Sequence, residues 1–161
     1  MTASMFLPGD VQSTLQALLA ASLAGVNVGS IGDLNTDANG DLIFDPPCAR
    51  TFFVGMNYAD EGDNLALTYD EAEAEIDIWC AAENLSSLEA QRIDTLSLVA
   101  RILPVIAGAK LSLADGTVSE PVRLVSVVGS LQGKQGAPVA TVYTIKVRVP
   151  GIAQFAPHAG E

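Results

Sequence analysis

The sequence predicts an α+β fold in which two helices pack on one face of a mostly antiparallel sheet, with a hairpin extension and a C-terminal arm. Hydrophobic residues make up 49% of the 161 residues and charged residues only 17%, so the chain can bury a sizeable core. Helical and strand periodicities follow one another without βαβ repeats. The length suits one domain, which we place at residues 1–149, with an arm or disordered tail over 150–161.

The first helix is predicted to start after Pro8, with Asp10 as its N-cap and Gly25 at its end. Its buried stripe comprises Val11, Leu15, Leu18, Leu19 and Ser22. The opposite face carries no charge, although the solvent-facing side of a helix is usually charged. We therefore expect that face to be covered by the same chain or by a neighbouring copy.

A short strand over 26–31 and a turn-rich stretch over 32–47 follow the first helix. In that stretch, Asn39 and Gly40 predict a type I′ hairpin turn. The next strand is predicted over 51–58, with one face formed by Phe52, Val54, Met56 and Tyr58.

The strand over 72–83 has the clearest pattern, because apolar residues alternate with acidic ones. Its acidic face carries Glu73, Glu75 and Asp77, and Trp79 lies among them. Trp79 is either covered by a loop or an anchor of a protein interface, where tryptophan is enriched.

A second helix is predicted from Ser86, which forms a capping box with Glu89, to about residue 107. Pro104 should kink or shorten its last turn, and Gly108 can close it. Its predicted buried stripe comprises Ile93, Leu96, Val99, Ala100, Leu103 and Ile106. Strands over 110–113, 122–129 and 139–149 follow, and the last two form a hairpin.

Charge is unevenly distributed along the chain, whose net charge is −11. Residues 33–83 contain 13 acidic residues and one basic residue, whereas residues 101–148 contain six basic and two acidic ones. The acidic balance argues against nucleic-acid binding and against binding to anionic membranes. The acidic segment is either a solvated face or one of two complementary patches that meet between copies.

Residues suited to catalysis or metal binding are scarce. His158 is the sole histidine, and Cys48 and Cys80 lack metal-ligand spacing, so we expect no enzyme, no cofactor and no metal site. The segment from Asn35 to Asp41 resembles half a calcium loop but lacks the closing glutamate, so an Asx-rich hairpin is favoured. A carboxylate ladder on an open strand is normally solvated, and this argues against acid–base catalysis.

Targeting and membrane signals are also missing. The uncharged stretch over 11–32 holds too many polar residues and glycines for a membrane span. No basic residue precedes Arg50, so a signal peptide is not expected, and two cysteines suit a reduced intracellular protein.

The junction WCAAENLSS at residues 79–87, followed by AQR at 90–92, carries a family resemblance. An acidic alternating strand leads through Asn-Leu into a serine-capped helix. This resembles the tail terminator (tail completion) proteins of Mu-like long-tailed bacteriophages, over about residues 8–149. Glu83 stands where that family is expected to have a basic residue.

The resemblance implies an α+β structural protein without catalytic activity or cofactor. It implies a homo-oligomeric ring, usually of six copies, that caps the tail tube, stops its polymerisation and joins it to the head–tail connector. Tail tube, tail sheath and connector proteins are then its partners, and genomic DNA passes through the lumen without specific binding. The location implied is the tail–neck region of the virion, after assembly in the host cytoplasm.

The predicted subunit interface combines the acidic strand of one copy with the basic strand of the next. Its residues are Glu73, Glu75, Asp77, Trp79, Arg123, Lys146 and Arg148. The alternative function is a small-ligand-binding α+β domain without catalytic activity, and an enzyme that uses the carboxylate ladder comes third.

Overall fold

The computed structural model describes residues 8–58, 71–83, 86–114, 116–132 and 140–153. The helices are α1 (Pro8–Ser22) and α2 (Leu88–Ile106), and a 3₁₀ turn spans Ile31–Asp33. The strands are β1 (Asn27–Ser30), β2 (Cys48–Tyr58), β3 (Glu71–Ala81), β4 (Arg123–Gln132) and β5 (Ala140–Ala153).

The five strands form one sheet in the order β1-β2-β3-β5-β4. The β1 strand runs parallel to β2, whereas β2, β3, β5 and β4 pair antiparallel in succession. Both helices contribute to one core on the same side of the sheet. The predicted α+β fold, with two helices on one face of a mostly antiparallel sheet, is confirmed.

Helix α1 begins at Pro8, so Asp10 lies in its first turn and is not the N-cap. Proline suits the first helical position because its missing N–H would have no intrahelical partner there. Val11, Leu15 and Leu19 are fully buried, as predicted, whereas Leu23 takes the inward position expected for Ser22. A left-handed glycine follows the helix, since Gly25 has a φ of +76°.

The uncharged back of α1 is covered in part by its own sheet. Gln12 donates to the hydroxyl oxygen of Thr51 at 3.0 Å, and Gln16 donates to the same atom at 2.6 Å. Ser13, Ala17 and Ala20 are exposed. The two glutamines therefore face the sheet. The expectation that the uncharged face of α1 is covered holds for these two residues and not for the three exposed ones.

The buried face of α2 differs from the predicted stripe. Gln91 and Thr95 are buried, whereas Ile93 and Ala100 are exposed. The polar side chains lie inward because they bind the backbone at the ends of β3 and β5, a role that hydrophobic periodicity does not reveal. Val99 and Ile106 are buried as predicted.

The two ends of α2 also differ in detail from the prediction. Ser87, rather than Ser86, is the N-cap, and its hydroxyl accepts from the N–H of Ala90 at 3.0 Å. The helix continues beyond Pro104 to Ile106, and Gly108 follows with a φ of +73°. The predicted glycine at the C-terminal end is therefore found in the left-handed region that closes helices.

Strand β2 contains a register shift between Phe53 and Gly55. One extra residue in a strand moves the side chains that follow it to the opposite face of the sheet. Met56 therefore packs against the helix-side core, whereas Phe52 is exposed. The prediction that Phe52 and Met56 share a face is wrong for this reason. The side chain of Tyr58, assigned to the same face, lies outside the described residues.

The C-terminal hairpin of β4 and β5 is confirmed. Strand β5 continues to Ala153, and Ile152 is fully buried opposite Ala72. The boundary predicted at residue 149 therefore falls inside a strand, and residues 154–161 lie outside the described part of the chain. The strand predicted over 110–113 is an isolated bridge between Ser112 and Val118.

Candidate functional site: the open face of the sheet

All seven predicted interface residues lie on three adjacent strands, on or next to the sheet face that the helices leave open. We call this surface the open face. On β3 and β5, Glu75 lies opposite Arg148, Asp77 opposite Lys146 and Trp79 opposite Thr144. On β4, Arg123 lies opposite Arg148. Antiparallel pairing of β3 with β5 thus brings together residues that are 65 to 73 positions apart in the sequence.

The acidic and basic strands pair within one chain. Arg148 Nε lies 3.4 Å from Glu75 Oε1, and Arg148 Nη1 lies 3.8 Å from Glu73 Oε2. The expected interface in which β3 of one copy meets β5 of the next is therefore wrong, because the strands are neighbours in a single sheet. Whether these residues contact other subunits by another arrangement stays a prediction.

The carboxylate ladder lies on an open surface. Burial raises the pKa of Asp77, and Lys146 opposite it acts in the reverse direction, with Glu75 adding to the rise. Asn57 donates to Glu75 Oε1 at 2.6 Å. The carboxylates thus bind side chains of both neighbouring strands. This arrangement is typical of a charged surface rather than of an acid–base pair in a cleft.

Trp79 is covered by the loop that joins β1 to β2. The ring of Phe44 stacks on the indole with a centroid separation of 5.9 Å and an interplanar angle of 15°. Cys48, Ala81 and Val142 complete this small apolar cluster. Of the two alternatives left open by the sequence, the structure favours coverage by a loop.

The same loop is fastened to β2 by an ion pair between Asp45 and the guanidinium of Arg50. Arg50 is largely buried, and its pKa is raised because Asp45 accepts its hydrogen bonds. Gly29 lies opposite Arg50 in β1. A Cβ at Gly29 would lie 2.3 Å from Arg50 Nη1, so this glycine makes room for the guanidinium.

The segment that resembles half a calcium loop is a tight turn in which the Asp37 side chain binds backbone N–H groups. The Asp37 carboxylate accepts from the N–H groups of Asn39 at 2.8 Å and Asp41 at 3.1 Å. Gly40 has a φ of +85°, but Asn39 does not have a positive φ. The turn is therefore not type I′, and it matches a three-residue loop with glycine in the left-handed position.

Within the residues that the structure describes, no group of three or more His, Cys, Asp and Glu side chains is placed to hold a metal ion. Cys48 and Cys80 are free and buried. Burial raises the pKa of Cys48 to about 11 and raises that of Cys80 further. Both are therefore protonated thiols at neutral pH and poor nucleophiles.

The clefts among the described residues include two at the surface of α2. One is lined by residues of α2 and the loop after α1, including Asp94 and Arg101. The other lies between the start of α2 and the β4–β5 hairpin, beside Arg92 and Tyr143. Both are open to solvent, so neither provides the sealed apolar pocket that the ligand-binding alternative requires.

Sequence reasoning did not identify the apolar residues exposed along β4. The side chains of Leu124, Val125, Val127 and Val128 are between 40% and 52% exposed. The signal available was the run Leu-Val-Ser-Val-Val, which lacks the strict alternation of a half-buried strand. An apolar run of this kind is ambiguous from sequence, because a strand buried on both faces has the same pattern.

No helix among the described residues is long and apolar enough to cross a membrane. No protein-family model and no curated protein matches the chain. Among solved structures, a chain of "Virion of native gene transfer agent (GTA) particle" is similar, with a TM-score of 0.48 and 16% sequence identity. That match covers 90% of this chain and 95% of the other.

Proposed function

We propose that this chain is a structural protein of a phage-like virion and, within that class, a tail terminator. In this role it forms a ring of about six copies that caps the tail tube, stops tube polymerisation and joins the tube to the head–tail connector. The proposal rests first on the family resemblance at residues 79–92, for which the expected α+β fold is found.

The observation that carries the proposal is the one-sided construction of the sheet. Both helices lie on one face, and the other face presents charged side chains, while apolar side chains are exposed at the lateral strands. A ring subunit needs two different surfaces that fit each other. Each copy then binds the next one head to tail, and the ring closes when the rotations between copies add up to a full turn. The apolar side chains exposed on the lateral strands support lateral contacts of this kind.

The composition suits a ring through which DNA passes. A net charge of −11 repels the duplex and opposes sticking during passage. No catalytic or cofactor chemistry is required for this role. Its partners are further copies of the chain, the tail tube, the sheath and the connector, and its place is the neck of the tail.

The test combines the purified chain with the tail tube protein of the same virion. We expect rings of about six copies by native mass spectrometry and negative-stain microscopy. We also expect tubes that carry one ring at one end and do not elongate further. A chain that stays monomeric at every concentration and leaves tube growth unchanged would contradict the proposal.

A further inference from the structure

Within the part of the chain that the structure describes, β4 forms one edge of the sheet. Among the described residues, β4 pairs with β5 alone, so, Ser130 aside, no other described strand pairs with the backbone on its outer side. Natural edge strands are usually protected by charge, proline, bulges or short length. Strand β4 has a register shift between Leu124 and Ser126, but no charged residue or proline follows Arg123 in it.

The opposite edge of the sheet has a similar stretch. Strand β1 pairs with β2 only as far as Thr51. Beyond Thr51, the described part of β2 pairs with β3 alone. Phe52 and Val54 in this stretch are 49% and 48% exposed. Within the described residues, each edge of the sheet therefore combines backbone that pairs with no described strand and large exposed apolar side chains.

The directions of the strands allow these two edges to join. Because β2, β3, β5 and β4 alternate in direction, β4 runs opposite to β2. If a second copy continues the sheet with the same face outward, its β2 lies antiparallel to β4 of the first copy. Main-chain hydrogen bonds can then form as they do within the chain.

Charge makes a small contribution in the direction of the same head-to-tail arrangement. Arg123 lies directly opposite Arg148, and like charges at such positions are destabilising. Glu73 and Glu75 lie on β3, next to the unpaired stretch of β2. In a continued sheet, β3 of the next copy, with Glu73 and Glu75, lies two strand spacings, about 10 Å, from β4 and its Arg123. That distance is about one Debye length, so the attraction is partly screened and falls further as salt is added.

We propose that β4 of one copy pairs antiparallel with residues 52–57 of β2 in the next copy, which makes the sheet continuous between subunits. This inference rests on the proposed function, since it names the lateral interface of the ring. The occupant of each edge is a second copy of this chain. Arg123 is an interface residue in this arrangement, whereas Arg148 serves mainly within its own subunit.

The test uses two double variants that place lysines on one edge each. The first is Val125→Lys with Val128→Lys, and the second is Phe52→Lys with Val54→Lys. The matched control is Ile93→Lys with Val118→Lys. It adds the same two positive charges, and these two side chains are also about half exposed but do not lie on β4 or β2. Circular dichroism and thermal melting establish that all three variants fold.

We expect each edge variant to weaken assembly by about 100-fold or more, as expected for two central contacts of about 1.4 kcal/mol each, and the control to assemble as the unmodified chain does. Mixing the two edge variants should give a 1:1 dimer, because each retains one intact edge. A β4–β4 contact would instead leave the β2 variant assembled and give no mixed dimer.

The outcomes separate this inference from the proposed function. If the unmodified chain forms rings and either edge variant still forms them, the interface is wrong and the terminator proposal stands. If the unmodified chain forms no ring alone or with the tube protein, the terminator proposal fails, and this interface fails with it.

Discussion

The two faces of the sheet use the same strands but are stabilised in different ways. On the helix side, Ile76, Ile78 and Ile145 are fully buried beneath α1 and α2. On the open face, the neighbouring residues of the same strands form ion pairs, and a stacked Phe44–Trp79 pair covers one end. Strand alternation therefore predicts which residues face a core, whereas charge partners on the other face depend on strand order.

The largest contrast should come from side-chain truncations on the two faces. Ile78→Ala removes a fully buried side chain and should lower the free energy of unfolding by about 2–5 kcal/mol. Lys146→Ala, on the adjoining strand, should change it by less than about 0.5 kcal/mol. Urea denaturation followed by circular dichroism measures both. Equal effects would mean that the open face is as tightly packed as the helix side.

The second-largest loss of stability should come from removing a polar side chain that is buried on the helix side. The Gln91 amide donates to the carbonyl oxygens of Ala82 at 3.0 Å and Thr141 at 3.2 Å, and accepts from the N–H of Thr141 at 2.7 Å. Gln91→Leu should lower the free energy of unfolding by about 2–3 kcal/mol, because buried backbone groups lose their hydrogen-bond partners.

The control for that variant is Ser97→Ala, an exposed position on the same helix, which should cost less than about 0.5 kcal/mol. Amide hydrogen exchange gives a second measurement, since the N–H of Thr141 should exchange faster only in Gln91→Leu. Unchanged protection there would contradict the role of Gln91.

On the open face, the loop that covers Trp79 provides a direct optical test. Trp79 is the single tryptophan of the chain, so its fluorescence reports on this site alone. Phe44→Ala should shift the emission to longer wavelength and lower the free energy of unfolding by at least about 0.5–1.5 kcal/mol, which an aromatic pair contributes beyond the apolar area it buries. Ile43→Ala changes an exposed neighbour in the same loop and should leave the emission maximum unchanged.

The smallest effect should be the pH dependence that arises from Asp77. Its pKa is raised by burial, so the folded state binds the proton more tightly than the unfolded state does. Below about pH 3.9, the ordinary pKa of aspartate, Asp77 is protonated in both states and does not lower the stability of the fold. As the pH rises through the raised pKa, ionisation of Asp77 lowers the free energy of unfolding.

Asp77→Asn should thus increase stability at neutral pH by less than about 1 kcal/mol, with the gain vanishing near pH 3. Thermal melts from pH 3 to pH 7 measure the difference, with Glu120→Gln at an exposed position as the control. A loss of stability at pH 7 in Asp77→Asn would show that attraction to Lys146 outweighs the burial of the carboxyl group.

The sequence by itself determined the elements whose residues follow one clear period. The alternation of β3, the stripe of Val11, Leu15 and Leu19, and the β4–β5 hairpin were all predictable, because a buried face requires apolar residues at the spacing of its backbone. Local chemistry also placed Gly25 and Gly108 at helix ends, where both have a positive φ.

Only the tertiary structure decided which segments lie side by side. Strand order placed β3 next to β5, and this turned an expected contact between copies into the Glu75–Arg148 pair within one chain. An extra residue in β2 moved Met56 to the helix side, and long-range hydrogen bonds drew Gln91 into the core. The physical reason is that residue spacing encodes a local periodicity, whereas neighbours in the sheet are set by the whole core.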